Sequence, residues 1–230
     1  MKFFLDLKHA IAVVAERFRK PGRFSIFQYD RRKAISRLQP FPKGVILDLG
    51  CGSRELPFSV IAVDLVPNPN VSVVADACKL PFADKQCDGV WMDALLEHVV
   101  DPIAVLEEAA RVLKDNGWVY CEIPFMQGEH SAPHDFRRWT RQGLIRLFDG
   151  WRIEWIKPSA GPFSALAYQL RSCLSLLTSF GSDFVFRIMF ETIWAYAVWP
   201  IKFLDALVPL DERAAAHAFG YAVMASKSSG

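Results

Sequence analysis

Val45-Ile-Leu-Asp-Leu-Gly-Cys-Gly-Ser53 is a run of apolar residues that ends in an acid and two glycines one residue apart. Such a run predicts a buried strand that breaks into a tight turn, where the backbone can approach a ligand closely. Three more short apolar runs follow: Val60-Ile-Ala-Val-Asp64, Val71-Ser-Val-Val-Ala-Asp76 and Asp88-Gly-Val-Trp-Met92. Acids at Asp48, Asp64 and Asp76 thus stand at the carboxyl ends of successive strands. That is the edge at which open parallel sheets bind ligands.

Outward from this stretch the pattern continues. Asp101-Pro102 predicts a helix start, with aspartate as cap and proline at the first helical position. Ile103, Leu106, Ala110 and Leu113 are expected on its buried face, and Asn116-Gly117 is expected to stop it. Trp118 to Ile123 and Trp151 to Ile156 read as a fifth and sixth strand, and Phe219 to Lys227 as the last. The expectation is an α/β fold with a mostly parallel, seven-stranded sheet and helices on both faces. The links after Gly52 and after Asp64 are short and carry Pro57, Pro67 and Pro69, too short for full crossover helices.

The 230 residues fit one large domain with additions. We expect an N-terminal helical segment over 1–39, broken at Lys20-Pro-Gly-Arg23, and a main domain over 40–230. Residues 157–210 within it, dense in Phe, Leu, Trp and Ala, read as an apolar helical insertion before the last strand. Met1 to Phe18 places Phe4, Leu7, Ile11, Val14 and Phe18 near helical spacing but carries Lys2, Asp6, Lys8, Glu16 and Arg17, which is not a secretory signal. In the insertion, Arg171, Asp183, Arg187, Glu191 and Lys202 interrupt the apolar runs, and no uncharged stretch reaches the roughly 18 residues of a membrane span. The 27 basic and 25 acidic residues nearly cancel, so no global field favours nucleic acid. Five scattered cysteines without a C-x-x-C pair read as reduced thiols of a cytoplasmic protein.

The ordered set of glycine turn and staged acids resembles the class I S-adenosylmethionine-dependent methyltransferases (the type 11-like group) over about residues 40–156 plus the closing strand. Leu80-Pro-Phe-Ala-Asp84, Asp88, Leu95-Leu-Glu-His98, Glu107 and Arg111-Val-Leu-Lys114 add to it. The resemblance implies a Rossmann-like sheet and S-adenosylmethionine as cofactor. It implies that Gly50 and Gly52 approach the methionine end, that Asp48 holds the amino group, and that Asp64 takes the ribose hydroxyls. It further implies that Asp76 and the amide of Ala77 hold adenine, and that Met92 lies beside the methionine portion. Charged acceptors such as these carboxylates make the stronger hydrogen bonds. Where the family has a third small residue, this chain has Arg54. A dinucleotide site would need G-x-G-x-x-G; here Glu55 stands at the third glycine.

The loop after the fifth strand, Pro124 to Thr140, gathers His130, His134, Asp135 and Arg138 at the ligand edge. His130 or His134 is a candidate general base, with His98 as a third, while Asp135 and Arg138 are candidate substrate-binding residues. The alternative is structural: Asp135 and Arg138 pair to pin the loop, and Thr140 caps the next helix. No metal is expected, because Pro133 interrupts the His130–His134 spacing and no third ligand is near in sequence. Two function classes remain open, a methyltransferase acting on a small-molecule or lipid-linked acceptor and a non-catalytic binding protein of the same fold. The apolar insertion is expected at a membrane surface, placing the protein at the inner face of the membrane, or else in a helical cap or homodimer interface. A scaffold attached to the membrane is the remaining alternative.

Overall fold

The computed structural model describes residues 43–130, 134–208 and 212–227. The N-terminal helical segment expected over 1–39 lies outside them. The chain divides into two compact units, one built on the sheet and one on the helices that follow Pro162.

The sheet unit contains β1 (Ile46–Leu49), β2 (Ile61–Asp64), β3 (Val73–Val74), β4 (Cys87–Asp93), β5 (Leu113–Pro124), β6 (Trp151–Ala160) and β7 (Gly220–Lys227). Their spatial order is β3-β2-β1-β4-β5-β7-β6. The ladders from β3 through β5 are parallel, whereas β7 runs antiparallel to β5 and β6 on either side. The order reverses beside β1, and this switch point opens a crevice at the strands' carboxyl ends. β1 and β4 are almost wholly buried, as expected of central strands read from continuous apolar runs.

Helices α1 (Pro102–Val112) and α2 (Arg141–Leu147) connect β4 to β5 and β5 to β6, and a single turn, α6 (Glu212–Ala215), precedes β7. The described links from β1 to β4 carry no helix, so none of the crossovers there is helical. Asp101 caps α1, its carboxylate accepting from the amides of Ile103 and Ala104. The buried stripe of α1 is Pro102, Val105, Leu106, Ala109 and Val112. The expected stripe was one position out at several points, since Ile103 is 57% exposed. Leu113 also ends the helix early. It is buried, pairs with Cys87 and already belongs to β5. Asn116-Gly117 therefore sits in a bulge between the Cys87 and Gly89 pairings, with Asn116 at φ +65°, rather than at a helix end.

Several residues of the quoted pattern have packing roles. Arg111 reaches from α1 to the carboxylates of Asp84 and Glu108 and to the carbonyl of Leu80, and Glu108 accepts from the Leu80 amide. Together they tie the loop before β4 onto the helix. The five cysteines are free thiols, with Cys51, Cys87 and Cys121 buried.

The helical unit comprises α3 (Pro162–Ser179), α4 (Asp183–Glu191), α5 (Ile193–Val198) and a 3-10 segment, Trp199–Leu207. Asp205 caps α3, accepting from the amides of Phe163 and Ser164 and from the Ser164 hydroxyl. Arg171 is an internal residue, only 7% exposed: it lies 3.6 Å over the Phe190 ring, donates to the Phe190 carbonyl and pairs with Glu191. One helical run, Asp183–Leu207, is long and apolar enough by length and composition to cross a membrane. This corrects the expectation that no stretch here qualifies. Its charged residues, Asp183, Arg187, Glu191, Lys202 and Asp205, are spread along it, and it is broken at Thr192 (φ −122°, ψ −90°).

Gly89 tests the fit of the sheet. A methyl there would lie 2.2 Å from the half-buried Trp118 ring. Gly89→Ala is expected to cost about 1–3 kcal/mol by overpacking, read as a lower urea midpoint at an unchanged slope. An unchanged midpoint would show that the ring yields freely.

Candidate functional site

The turn after β1 is held at its base by backbone geometry. The amides of Gly50 and Cys51 donate to the carbonyl of Val63 in β2, and both Gly50 (φ +64°) and Gly52 (φ +53°) take left-handed conformations. A side chain on Gly50 would strike Leu95, 2.8 Å away, whereas one on Gly52 would meet nothing within 4 Å. The first glycine is thus needed for packing as well as φ, and the second faces open space.

Asp64 ends β2 beside this turn. Its Oδ2 accepts from the Gly52 amide at 2.8 Å and its Oδ1 from the Val66 amide at 2.9 Å. The carboxylate is half-exposed, with lone pairs left for a ligand. Asp76, exposed beyond β3, accepts from the Cys78 amide, and Ala77 follows it in a tight bridge between Asp76 and Lys79.

Arg54 fills the space beside the glycine turn, between the ends of β1 and β4. Its guanidinium is 8% exposed and bonds the Asp48 carboxylate at 2.6 Å and the Asp93 carboxylate at 3.2 Å. It also donates to the carbonyls of Gly50 and Asp93. Asp48, 1% exposed, is therefore committed to Arg54 rather than standing open for an amino group. Removing one partner from so buried a group would leave charges uncompensated, a cost of about 3–5 kcal/mol. Met92 is likewise placed differently from the expectation. β4 runs on through Asp93, so Met92 is a strand residue whose wholly buried side chain belongs to the core. Asp93, within the span from Met92 to Leu95 expected beside the ligand but not singled out there, takes the place beside the turn. An acid at the end of a strand, like Asp48 and Asp64, was the available signal.

The second half of the site lies beyond β4 and β5. Ala94 leaves β4 at φ +55°, a left-handed conformation uncommon for alanine, with its amide bonded to the Glu122 carbonyl. A short 3-10 turn, Leu96–His98, follows. The loop after β5 folds back onto it: the Phe136 amide donates to the Glu97 carbonyl and Arg137 to the carbonyls of Val99 and Val100. His98 and His130 come together edge to face, ring centres 5.0 Å apart. His134 is exposed, and it is its carbonyl, 2.5 Å from His98 Nδ1, that enters the site.

Glu97 lies between the two imidazoles. It is wholly buried, and among the described residues neither carboxylate oxygen has a hydrogen-bond partner. Burial pushes its pKa up to about 8. His98 Nε2 is 3.8 Å and His130 Nε2 4.0 Å from Glu97 Oε1. Burial also lowers the pKa of His130, which keeps the ring neutral near pH 7. Asp135 is 3.3 Å from His130 Nδ1, accepts from the His130 amide and is gripped by both ends of Arg138. The structural reading of the Asp135–Arg138 pair thus accounts for this geometry, since Arg138 also holds the carbonyls of Gln127 and Gly128. Thr140 accepts from the Gly143 amide as the cap of α2.

The Arg138 guanidinium holds the Asp135 carboxyl down to about 2. A depressed pKa contributes stability that is complete above the unfolded-state value of about 3.9 and is lost as pH falls toward the folded value. The thermal midpoint of the wild-type chain should exceed that of Arg138→Gln at pH 5 and above, and the gap should close between about pH 4 and 2. A gap independent of pH would mean that Arg138 acts by packing alone.

Comparison with known proteins agrees with this architecture. Residues 47–121 match the family model of the methyltransferase domain. A demethylmenaquinone methyltransferase of Mycobacterium sp. (strain JLS) is 49% identical over 109 residues, 40% of this chain and 47% of the relative. The chain thus matches just under half the length of that curated relative. Among solved structures, the cyclase SpnF superposes with a TM-score of 0.56 at 21% identity, covering 92% of this chain and 85% of that one. The Burkholderia thailandensis 1,6-didemethyltoxoflavin-N1-methyltransferase, with 1,6-didemethyltoxoflavin and S-adenosylhomocysteine bound, gives 0.53 at 13% identity over 99% of this chain and 90% of that one.

Proposed function

We propose that this chain, whose residues 47–121 match the methyltransferase-domain model, transfers a methyl group from S-adenosylmethionine to a small, lipid-linked acceptor. The observation that carries the reading is the junction of Gly52 and Asp64, an open glycine turn bonded to a half-exposed carboxylate at a switch point. The residues present fit the cofactor with one change from the family pattern. Asp64 and Asp76 suit the ribose and adenine, while the Arg54 guanidinium is taken up by Asp48 and Asp93 and holds the glycine turn in place. When bound, the sulfonium supplies an already activated methyl group.

The chain's own residues then have to align an acceptor and exclude water. His130 offers a neutral Nε2, and Asp135 beside Nδ1 steadies the positive charge that proton uptake creates. His98 turns its Nε2 toward the same space because its Nδ1 faces the His134 carbonyl. A non-catalytic binding protein is the second reading, favoured by one observation, the commitment of Asp48 to Arg54. Calorimetry with S-adenosylhomocysteine separates them. The enzyme reading expects micromolar binding that falls at least about tenfold in Asp64→Ala, and no heat at about 1 mM would overturn it.

The acceptor class rests on the mycobacterial relative, whose name specifies a demethylmenaquinone, and on the helical unit. Leu177 and Phe180, at the end of α3, are 74% and 95% exposed, apolar side chains suited to lipid. We place the protein in the cytoplasm, peripheral at the inner face of the membrane. Flotation with anionic vesicles should carry the full chain upward, and Phe180→Glu should weaken this. A dimer by sedimentation without flotation would assign the surface to a second copy instead.

A further inference from the structure

The carboxylate of Glu97 and the two imidazoles of His98 and His130 form a cluster that the methyl-transfer reading leaves partly unexplained. A buried carboxylate without a hydrogen-bond partner is costly. Here Oε1 faces two nitrogens at 3.8 and 4.0 Å, beyond hydrogen-bond reach. The orientation of both rings is fixed from behind. His98 Nδ1 is set against the His134 carbonyl, and His130 Nδ1 against the Asp135 carboxylate and the Gly128 carbonyl, each at 3.3 Å. A ring whose Nδ1 faces oxygen acceptors carries its proton there and leaves the Nε2 lone pair bare. Arg138 also stands 3.3 Å from His130 Nδ1, but the carboxylate and the carbonyl are both acceptors for the proton on that nitrogen.

Three lone-pair donors therefore surround one point. Their ligand atoms lie within 4.8 Å of one another. A position equidistant from all three is at most about 2.5 Å from each, against bond lengths of about 2.0–2.2 Å for zinc to nitrogen and oxygen, so a small contraction closes the site. A water there could donate to only two of the three and would leave the carboxylate charge in place. A divalent cation satisfies all three donors and the charge together.

We propose that Glu97, His98 and His130 bind a divalent transition-metal ion of the zinc type. Two imidazoles and one carboxylate suit zinc, cobalt or iron rather than magnesium or calcium, which want oxygen. The supporting contacts have the form expected behind such ligands: Asp135, itself locked by Arg138, backs His130, and a backbone carbonyl backs His98. Three protein ligands leave a coordination position open. Asp93, which Arg54 ties to the glycine turn, also acts electrostatically on Glu97, so the cluster and the turn share one edge of the sheet. The open position suits a hydroxyl or phenol oxygen, whose proton a bound metal loosens. This last step rests on the proposed function. The metal site does not, and with metal bound, His130 serves as ligand rather than base.

The full chain, stripped with chelator and dialysed, should be titrated with Zn2+ and Co2+ by calorimetry, with Mg2+ as control. We expect one ion bound at about 1 µM or tighter, visible-region Co2+ absorption of tetrahedral or five-coordinate type, and a raised thermal midpoint. Glu97→Gln should weaken the affinity at least about tenfold while the metal-free variant unfolds at about the same temperature, because the buried carboxyl has no hydrogen-bond partner to lose. His98→Asn should lose the Co2+ spectrum. Binding of S-adenosylhomocysteine should be unchanged in both variants. No stoichiometric Zn2+ or Co2+ binding at about 100 µM, or binding unaltered in both variants, overturns the proposal. Zn2+ binding without S-adenosylhomocysteine binding supports the metal site while overturning the proposed cofactor.

Discussion

The Arg54 guanidinium is the constraint on which the ligand edge depends. It joins Asp48 at the end of β1 to Asp93 at the end of β4, and on the way it holds the carbonyl of Gly50. Two acids at adjacent strand ends would otherwise repel each other in a partly desolvated crevice. One planar cation with several donors bridges both, offsets their repulsion and fixes the glycine turn between them. The same arrangement explains how this chain does without a helix between β1 and β2. What a crossover helix contributes elsewhere by packing, a buried ion pair and the Gly52–Asp64 bond contribute here by direct linkage.

Much of the fold was legible because central strands are written as continuous apolar runs and their ends as acids or glycines. Leu47, Leu49, Val90 and Val119 are all fully buried. The α1 cap was legible for the same reason, since Asp101 has a local task that its neighbours Pro102 and Ile103 reveal. Readings failed where a neighbour in space decided the outcome. Leu113 looked like the last helical residue until its pairing with Cys87 is seen, and Met92 looked like a strand's end until β4 is found to continue through Asp93. The membrane-length run was missed because scattered charges were counted as interruptions, although a helix can carry a few.

The candidate site was legible in its residues but not in its groupings. His98, His130, Asp135 and Arg138 were each singled out by chemistry, yet the spacing argument against a metal looked for a third ligand near His130 in sequence. Glu97 is that third group, brought from the other side of β5 when the loop after β5 bonds back through the Phe136 amide. Nothing in sequence separation records such a return. Nor does the fold supply the missing chemistry: one similar architecture carries the name of a cyclase and another that of a methyltransferase.

The two halves of the site are electrostatically one object. Asp48, Asp93, Glu97 and Asp135 place four carboxyl groups along the ligand edge, and Arg54 and Arg138 face three of them. Glu97 is left over. Its neighbours raise rather than relieve its burden, because Asp93 and Asp135 both act to keep it protonated, while Arg138 opposes them only in part. A fold that merely needed a packed interior there would be served by glutamine or leucine. Glu97 sits instead between two imidazoles whose far nitrogens are both held by oxygen acceptors, so both rings turn bare lone pairs toward it and, once it ionises, the centre presents acceptors alone. That arrangement is unfavourable in isolation and becomes favourable when positive charge, a metal ion or a proton drawn from a substrate hydroxyl, enters between them.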